Sequence, residues 1–248
     1  MKDVLGYKAK FGMLGPATNT IVQPDFDDMR PKGVTNHYSR IYVENASAIS
    51  DETFMAGTMI ISENTLDAVR GVLPCAPDYL VMGMSAVTFY GGAEGAKKWK
   101  KQIEDFAELK ISIGSESIVA AIEAYGGIRK VAFMSPYYPV ANKEVANFLS
   151  DYGIETVRDI CLQCPSWTSI AEVTTETTRD VFNQLNCDDV DAIIQVGTNL
   201  SAIKLASEME KILNKPVIAI NTATYWHALR TFGIKDKISG FGRLLEDY

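Results

Sequence analysis

The stretch "VMGMSAVTFYGG" (residues 81–92) starts as a buried strand, apolar or glycine from Val81 to Met84, and then breaks into Ser85, Thr88, Gly91 and Gly92. A second stretch, "DAIIQVGTNLSAI" (residues 191–203), runs the same way, from an apolar strand into Gly197, Thr198, Asn199 and Ser201. In parallel α/β sheets, ligands bind beyond the carboxyl ends of the strands, where the following helices present free backbone N–H groups. Hydroxyls, amides and glycines at two such ends point to that architecture. If the two ends face one another across a cleft, their N–H and O–H donors suit an anion, most simply a carboxylate.

Outward from these two stretches, short β-rich apolar runs recur along the chain, each bounded by glycine or polar residues. They fall at 9–15, 37–44, 79–85 and 110–114, then at 130–136, 154–162, 191–198 and 216–221, which makes eight strands in two groups of four. Amphipathic stretches between them predict helices near 51–72, 92–107, 115–126, 139–152, 174–186, 199–213 and 223–232. Alternating strand and helix argues for parallel sheets covered by helices on both faces. The two groups also match internally: the first strand ends in "GPATN" and the fifth in "SPYYPVAN", the third in "GMSAVTF" and the seventh in "GTNLSAI". The sequence therefore predicts a duplicated lobe. The first lobe is expected to hold residues 1–114 plus 226–248, the second residues 115–225.

The 248 residues, 47% hydrophobic and 22% charged, describe an ordinary globular chain able to bury a large core. A net charge of -7 argues against a nucleic-acid partner, because neutralising phosphates needs a basic face. The lysines of "KKWKK" (97–101) fall at helical spacing beside Glu104 and Asp105 and read as a solvated helix face. No apolar stretch is long enough to span a membrane and the first residues carry no signal-peptide core, so a cytoplasmic location is expected. Cys161 and Cys164 form a C-x-x-C without the second pair a zinc site wants, so no metal is expected. Nucleotide, metalloprotease and esterase fingerprints are absent from the sequence, and no cofactor is expected.

Candidate ligand residues sit at the strand ends. Pro16, Thr18 and Asn19 follow the first strand in "GPATNT", a composition that also suits a plain turn. Tyr137 and Tyr138 lie between prolines in "SPYYPVAN", where a phenol can point into a cleft and donate to an oxyanion. Gly197, Thr198 and Asn199 could cap a helix, and capping and anion binding use the same geometry. His37 and His227, the two histidines, read as packed side chains.

These motifs, with "MGMSAVTFYGGA", "INTATYWHALRTFGI" and the terminal "GFGRLL", resemble the aspartate/glutamate racemase superfamily over essentially the full chain, in its branch of arylmalonate decarboxylases and maleate cis-trans isomerases. The resemblance implies two pseudo-symmetric α/β lobes with the active site in the cleft between them. It implies a small carboxylate as substrate and leaves a homo-oligomer open. It also implies that the superfamily's two active-site cysteines fall on Met84 and Gly197, where this chain has no thiol. Neither methionine nor glycine can accept or deliver a proton. Ser85, Tyr137 and Thr198 match the donors of the oxyanion pocket and are the expected catalytic residues; Pro16, Asn19, Met84, Gly197 and Asn199 are the expected substrate-binding residues. Ala86 stands where the decarboxylase has another serine. The leading expectation is a cofactor-independent lyase or isomerase that decarboxylates a malonate-like acid through an enediolate, with Tyr137 or an ordered water as proton donor. Two alternatives stand beside it: a hydrolase or hydratase using an activated water in place of the cysteines, and a non-catalytic carboxylate-binding protein.

Overall fold

The computed structural model describes residues 3–45 and 47–248. Strands β1 (Ala9–Pro16), β2 (Val34–Ile41), β3 (Tyr79–Met82) and β4 (Ile111–Ser112) form one sheet in the order β2-β1-β3-β4. Strands β5 (Lys130–Ser135), β6 (Glu155–Cys161), β7 (Ala192–Gln195) and β8 (Val217–Ala219) form the other in the order β6-β5-β7-β8. Every pairing is parallel, and adding four to each label of the first sheet reproduces the second. The expected duplication of the sheets is thus present strand for strand.

Parallel strands need crossover connections, and helices supply them. In chain order they are α1 (Val22–Asp28), α2 (Asp51–Val72), α3 (Gly92–Ala107), α4 (Gly114–Tyr125), α5 (Pro139–Asp151), α6 (Thr175–Leu185), α7 (Ile203–Leu213), α8 (Ile220–Thr231) and the short α9 (Arg243–Glu246). The central strands read as continuous apolar runs because both faces are covered: Leu80, Val81 and Met82 of β3 are fully buried, as are Val131 to Met134 of β5. Helix α2 opens with a capping box, Ser50 and Thr53 each accepting the other's backbone N–H. Its buried face carries Phe54, Thr58, Ile61, Thr65, Val69 and Val72 at helical spacing.

Three expectations shift. Strand β2 begins at Val34 rather than 37, because its ladder with β1 runs from Ala9↔Val34 to Pro16↔Ile41 and carries the earlier residues into the sheet. Helix α7 begins at Ile203 rather than 199, since residues 197–200 close a turn through the Leu200 N–H to the Gly197 carbonyl. Helix α1 was not expected; its seven residues include Pro24, which is tolerated only because it lies in the first turn, where no intrahelical N–H bond is lost. Helix α8 starts at the end of β8 in the second sheet and packs on β3, β4 and α1 of the first. The expected lobe boundary between residues 225 and 226 lies within it.

The lobes are joined by polar and aromatic contacts. The Asp51 carboxylate at the start of α2 accepts the Val140 N–H in the first turn of α5 at 3.0 Å, which places a negative charge at two helix N-termini. The Asp151 carboxylate, at the other end of α5, accepts the Ala93 N–H of α3 at 2.7 Å. Phe54 of α2 lies 5.1 Å from the Tyr137 ring and 4.9 Å from Trp167, between centroids. Truncating this fully buried ring removes packing from both lobes at once. Phe54→Ala is expected to cost about 3–5 kcal/mol in urea unfolding.

Candidate active site

The strand ends of the two lobes meet around one small pocket, lined by Pro16, Thr18, Asn19, Met84, Pro136, Tyr137, Trp167, Ile170, Gly197, Thr198 and Asn199. Seven of the eight residues expected at the site are among them; the eighth, Ser85, lies just behind the wall, fully buried, with its hydroxyl 2.6 Å from the Tyr137 hydroxyl. The cavity measures about 20 Å³, room for roughly one water. A substrate therefore enters only if the wall moves.

Hydrogen bonds between the lobes hold the walls of the site together. Asn19, in the loop after β1, donates from Nδ2 to the Thr198 hydroxyl at 3.0 Å, and that hydroxyl donates onward to the Gly83 carbonyl at 2.9 Å. The Asn19 Oδ1 accepts the N–H groups of Ile21 and Val22 at 3.0 and 2.9 Å, satisfying the start of α1. The Asn199 Oδ1 accepts the Thr20 N–H at 2.9 Å, while its Nδ2 donates to the Trp167 carbonyl at 2.9 Å. The Thr198 hydroxyl proton and both ends of each asparagine amide are thus engaged by the protein itself. Among the described residues, the backbone N–H groups of Ser85, Thr198 and Asn199 find no protein acceptor.

Tyr137 is the one ionisable side chain among the lining residues. Burial holds its phenol well above the ordinary tyrosine range, and hydrogen bonds from Ser85 and the Ala86 N–H offset part of that effect. Two hydroxyls that share one hydrogen bond leave one proton over. If Ser85 donates to Tyr137, the free proton is the phenolic one, on the side chain that reaches the pocket.

No cysteine lines the pocket among the described residues. Cys161 ends β6 and Cys164 lies in the following loop; burial first, then nearby carboxylates, push their thiols up to about 12 and about 11. At Gly197, φ is +117°, in the region that favours glycine, and an added Cβ would run into the Pro136 ring. A side chain cannot be placed at 197 on this backbone without displacing Pro136. His227 is packed, with Nδ1 3.0 Å from the Ser117 hydroxyl.

Sequence reasoning missed Trp167 and Ile170. They lie in the loop after β6, where "CPSWTSIAEV" has no periodicity and no glycine or amide cluster to mark a ligand loop. The signal was positional: this loop also leaves the carboxyl end of a parallel strand. Trp167 forms a shared wall, because it also lines an outer groove of about 400 Å³ with Tyr42, Val43, Thr53, Ala56 and Ile60.

The fold and site define a two-lobed α/β protein with a small, mostly apolar interlobe pocket whose lining includes one tyrosine and the free backbone N–H groups of Thr198 and Asn199. The chain belongs to the arylmalonate decarboxylase (Amdase) family, which it matches over residues 61–245. Similar curated proteins are the maleate isomerase of Alcaligenes faecalis, 22% identical over 248 residues covering 95% of this chain and 96% of the relative, and the arylmalonate decarboxylase of Bordetella bronchiseptica, 26% identical over 190 residues covering 75% and 79%. Among solved structures, Nocardia farcinica maleate cis-trans isomerase with a covalently bound succinylcysteine intermediate superposes with a TM-score of 0.86 at 18% identity, covering 96% of this chain and 98% of that one. A crystal structure of arylmalonate decarboxylase gives 0.79 at 22% identity, covering 95% and 98%.

The Gly197 backbone makes a direct prediction. Gly197→Ala is expected to lower stability by about 2 kcal/mol or more, from the strained φ and the overlap with Pro136. Thermal unfolding of the variant beside the wild type checks it.

Proposed function

We propose that this chain is a cofactor-independent lyase or isomerase acting at the carbon next to a carboxylate, with decarboxylation of a substituted malonate-like acid as its reaction. The observation that carries this reading is Tyr137, the sole ionisable group on the pocket wall, buried, kept protonated and backed by Ser85 at 2.6 Å. A substrate carboxylate would be received by the free N–H groups of Thr198 and Asn199, since no cation lines the pocket to pair with it. Thr198 and Asn19 then act through position, because their side chains are already bonded to each other.

Loss of carbon dioxide breaks one carbon–carboxylate bond and leaves its electron pair on the remaining carboxylate as an enediolate. The apolar Met84 wall favours this step by withholding solvent from the departing carboxylate. Tyr137 would transfer its proton to the α-carbon, and the resulting phenolate would accept hydrogen bonds from Ser85 and the Ala86 N–H until water restores the proton. A covalent adduct of the kind in the Nocardia isomerase has no thiol to form on among the residues lining this pocket. Movement of Trp167 would join the narrow pocket to the outer groove and make room for the substrate.

The test is carbon dioxide release from malonate, methylmalonate and phenylmalonate by the purified protein. The wild type is expected to release it, and Tyr137→Phe to lose at least about 100-fold in kcat while still binding the acid. Full activity in Tyr137→Phe removes the tyrosine from the mechanism. Labelled oxygen from water appearing in the product without carbon dioxide supports hydration or hydrolysis instead. Binding with no turnover identifies a carboxylate-binding protein.

A further inference from the structure

Bonded to Thr198 of the pocket wall is a buried pair of side chains that the chemistry above does not use. Asn221, at the start of α8, donates from Nδ2 to the Asp25 carboxylate of α1 at 2.8 Å and to the Thr198 carbonyl at 3.0 Å. Asn221 is 2% exposed and its Oδ1 has no partner. Asp25 is 7% exposed and borders a groove of about 610 Å³ on the protein surface.

An unsatisfied buried amide oxygen costs about 1–3 kcal/mol, and the carboxyl beside it is the available remedy. A protonated carboxyl and a primary amide form a cyclic pair: the acid oxygen accepts the amide N–H while the acid O–H donates to the amide oxygen. In that arrangement every polar atom of the pair is satisfied and Asn221 keeps its other N–H on Thr198. The surroundings favour it: burial raises the Asp25 carboxyl to about 7, with the Asn221 hydrogen bond opposing and neighbouring Asp28 adding to the rise. Lys204 of α7 is the cation facing it, and its ammonium is 2.8 Å from Asp28. From the same helix, Glu208 and Lys211 line the groove, while α8 presents neutral Asn221 and Tyr225, and β2 presents Arg40, which bonds Gln23 and the Asn19 carbonyl.

A trans peptide is planar, so the Asn199 N–H points opposite to the Thr198 C=O. With that carbonyl held by Asn221, the Asn199 N–H points away from Asn221, and it finds no protein acceptor among the described residues. We infer that Asp25 is a positioning residue: paired as an acid with Asn221, it anchors the Thr198 carbonyl and so aims the Asn199 N–H at a bound carboxylate. The inference rests on the carboxylate-binding role given to the pocket above. Ionising Asp25 removes the acid O–H and strands the Asn221 oxygen, so the amide is held on its N–H side alone and can turn about that side. Because the folded state holds a proton that the unfolded chain releases, this contribution to stability is present in full below the ordinary carboxylate range and is lost as pH rises through about 7.

The experiment is a pH titration of the Asn199 amide across neutrality by two-dimensional nitrogen–proton NMR of the full chain, in the wild type and in Asp25→Asn, with phenylmalonate affinity measured at each pH by calorimetry. In the wild type the Asn199 resonance is expected to follow a single titration with a midpoint near 7. In Asp25→Asn, whose amide–amide pair keeps both hydrogen bonds at every pH, it is expected to stay still. Phenylmalonate should bind several-fold more weakly above the midpoint in the wild type only. An Asn199 amide that does not titrate, or that titrates equally in Asp25→Asn, overturns the inference; the wild-type titration alone decides it if the variant does not fold. Should the amide titrate as expected while phenylmalonate binds at no pH, the pair stands and the malonate-like reading of the pocket falls.

Discussion

The Thr198 hydroxyl is the knot that ties the two halves of this molecule together. It accepts from Asn19 and donates to Gly83, so one oxygen links the carboxyl ends of β1 and β3 in one lobe to the end of β7 in the other. Because these groups are buried, each would cost free energy if left alone, and they are satisfied only by one another. The requirement fixes the relative placement of the lobes at the site more tightly than apolar packing could, since hydrogen bonds are directional and hydrophobic contact is not. The approach of the Asn19 loop to the Thr198 turn on the pocket wall follows from it.

Much of this was legible before any coordinates. Parallel strands covered on both faces must read as unbroken apolar runs, so β3, β5 and β7 declared themselves, and the polar residues at their ends marked where the interlobe pocket lies. Tyr137 and Thr198 stood out through the family resemblance, since Tyr138 is an equal phenol in the same loop and a threonine at that end could as well cap a helix. The asparagines were legible as site residues but not in their bonding: whether an amide faces a substrate or laces two loops depends on a partner some 180 residues away, as Asn19 and Thr198 are separated by 179 positions. Asp25 and Asn221, 196 positions apart, were invisible for the same reason. Helix α1 was missed because seven residues with a proline inside the first turn carry too little periodicity to register. Trp167 was missed because its loop has no pattern, only a location.

In the proposed reaction, a pocket lined by no cation and by a single tyrosine would ask backbone dipoles to do what charged side chains do in most carboxylate sites. Such donors are fixed by the fold and need no reorganisation when charge develops, which is the condition under which they act most strongly. The same fixity explains the lacing around them, since a donor is only as well aimed as the peptide that carries it.

Gly197 and Pro136 bind the history of the site together. With φ at +117° and the proline ring where a Cβ would stand, any side chain at position 197 meets both backbone strain and overlap while Pro136 keeps its place. The two loops come from different strands, β5 and β7, so one residue's identity is conditional on another that lies 61 positions away. A route toward a thiol at this spot, in a laboratory lineage or a natural one, is eased by a change at 136 first, which leaves only the backbone strain to bear; taken in the opposite order, the first step bears both the strain and the overlap.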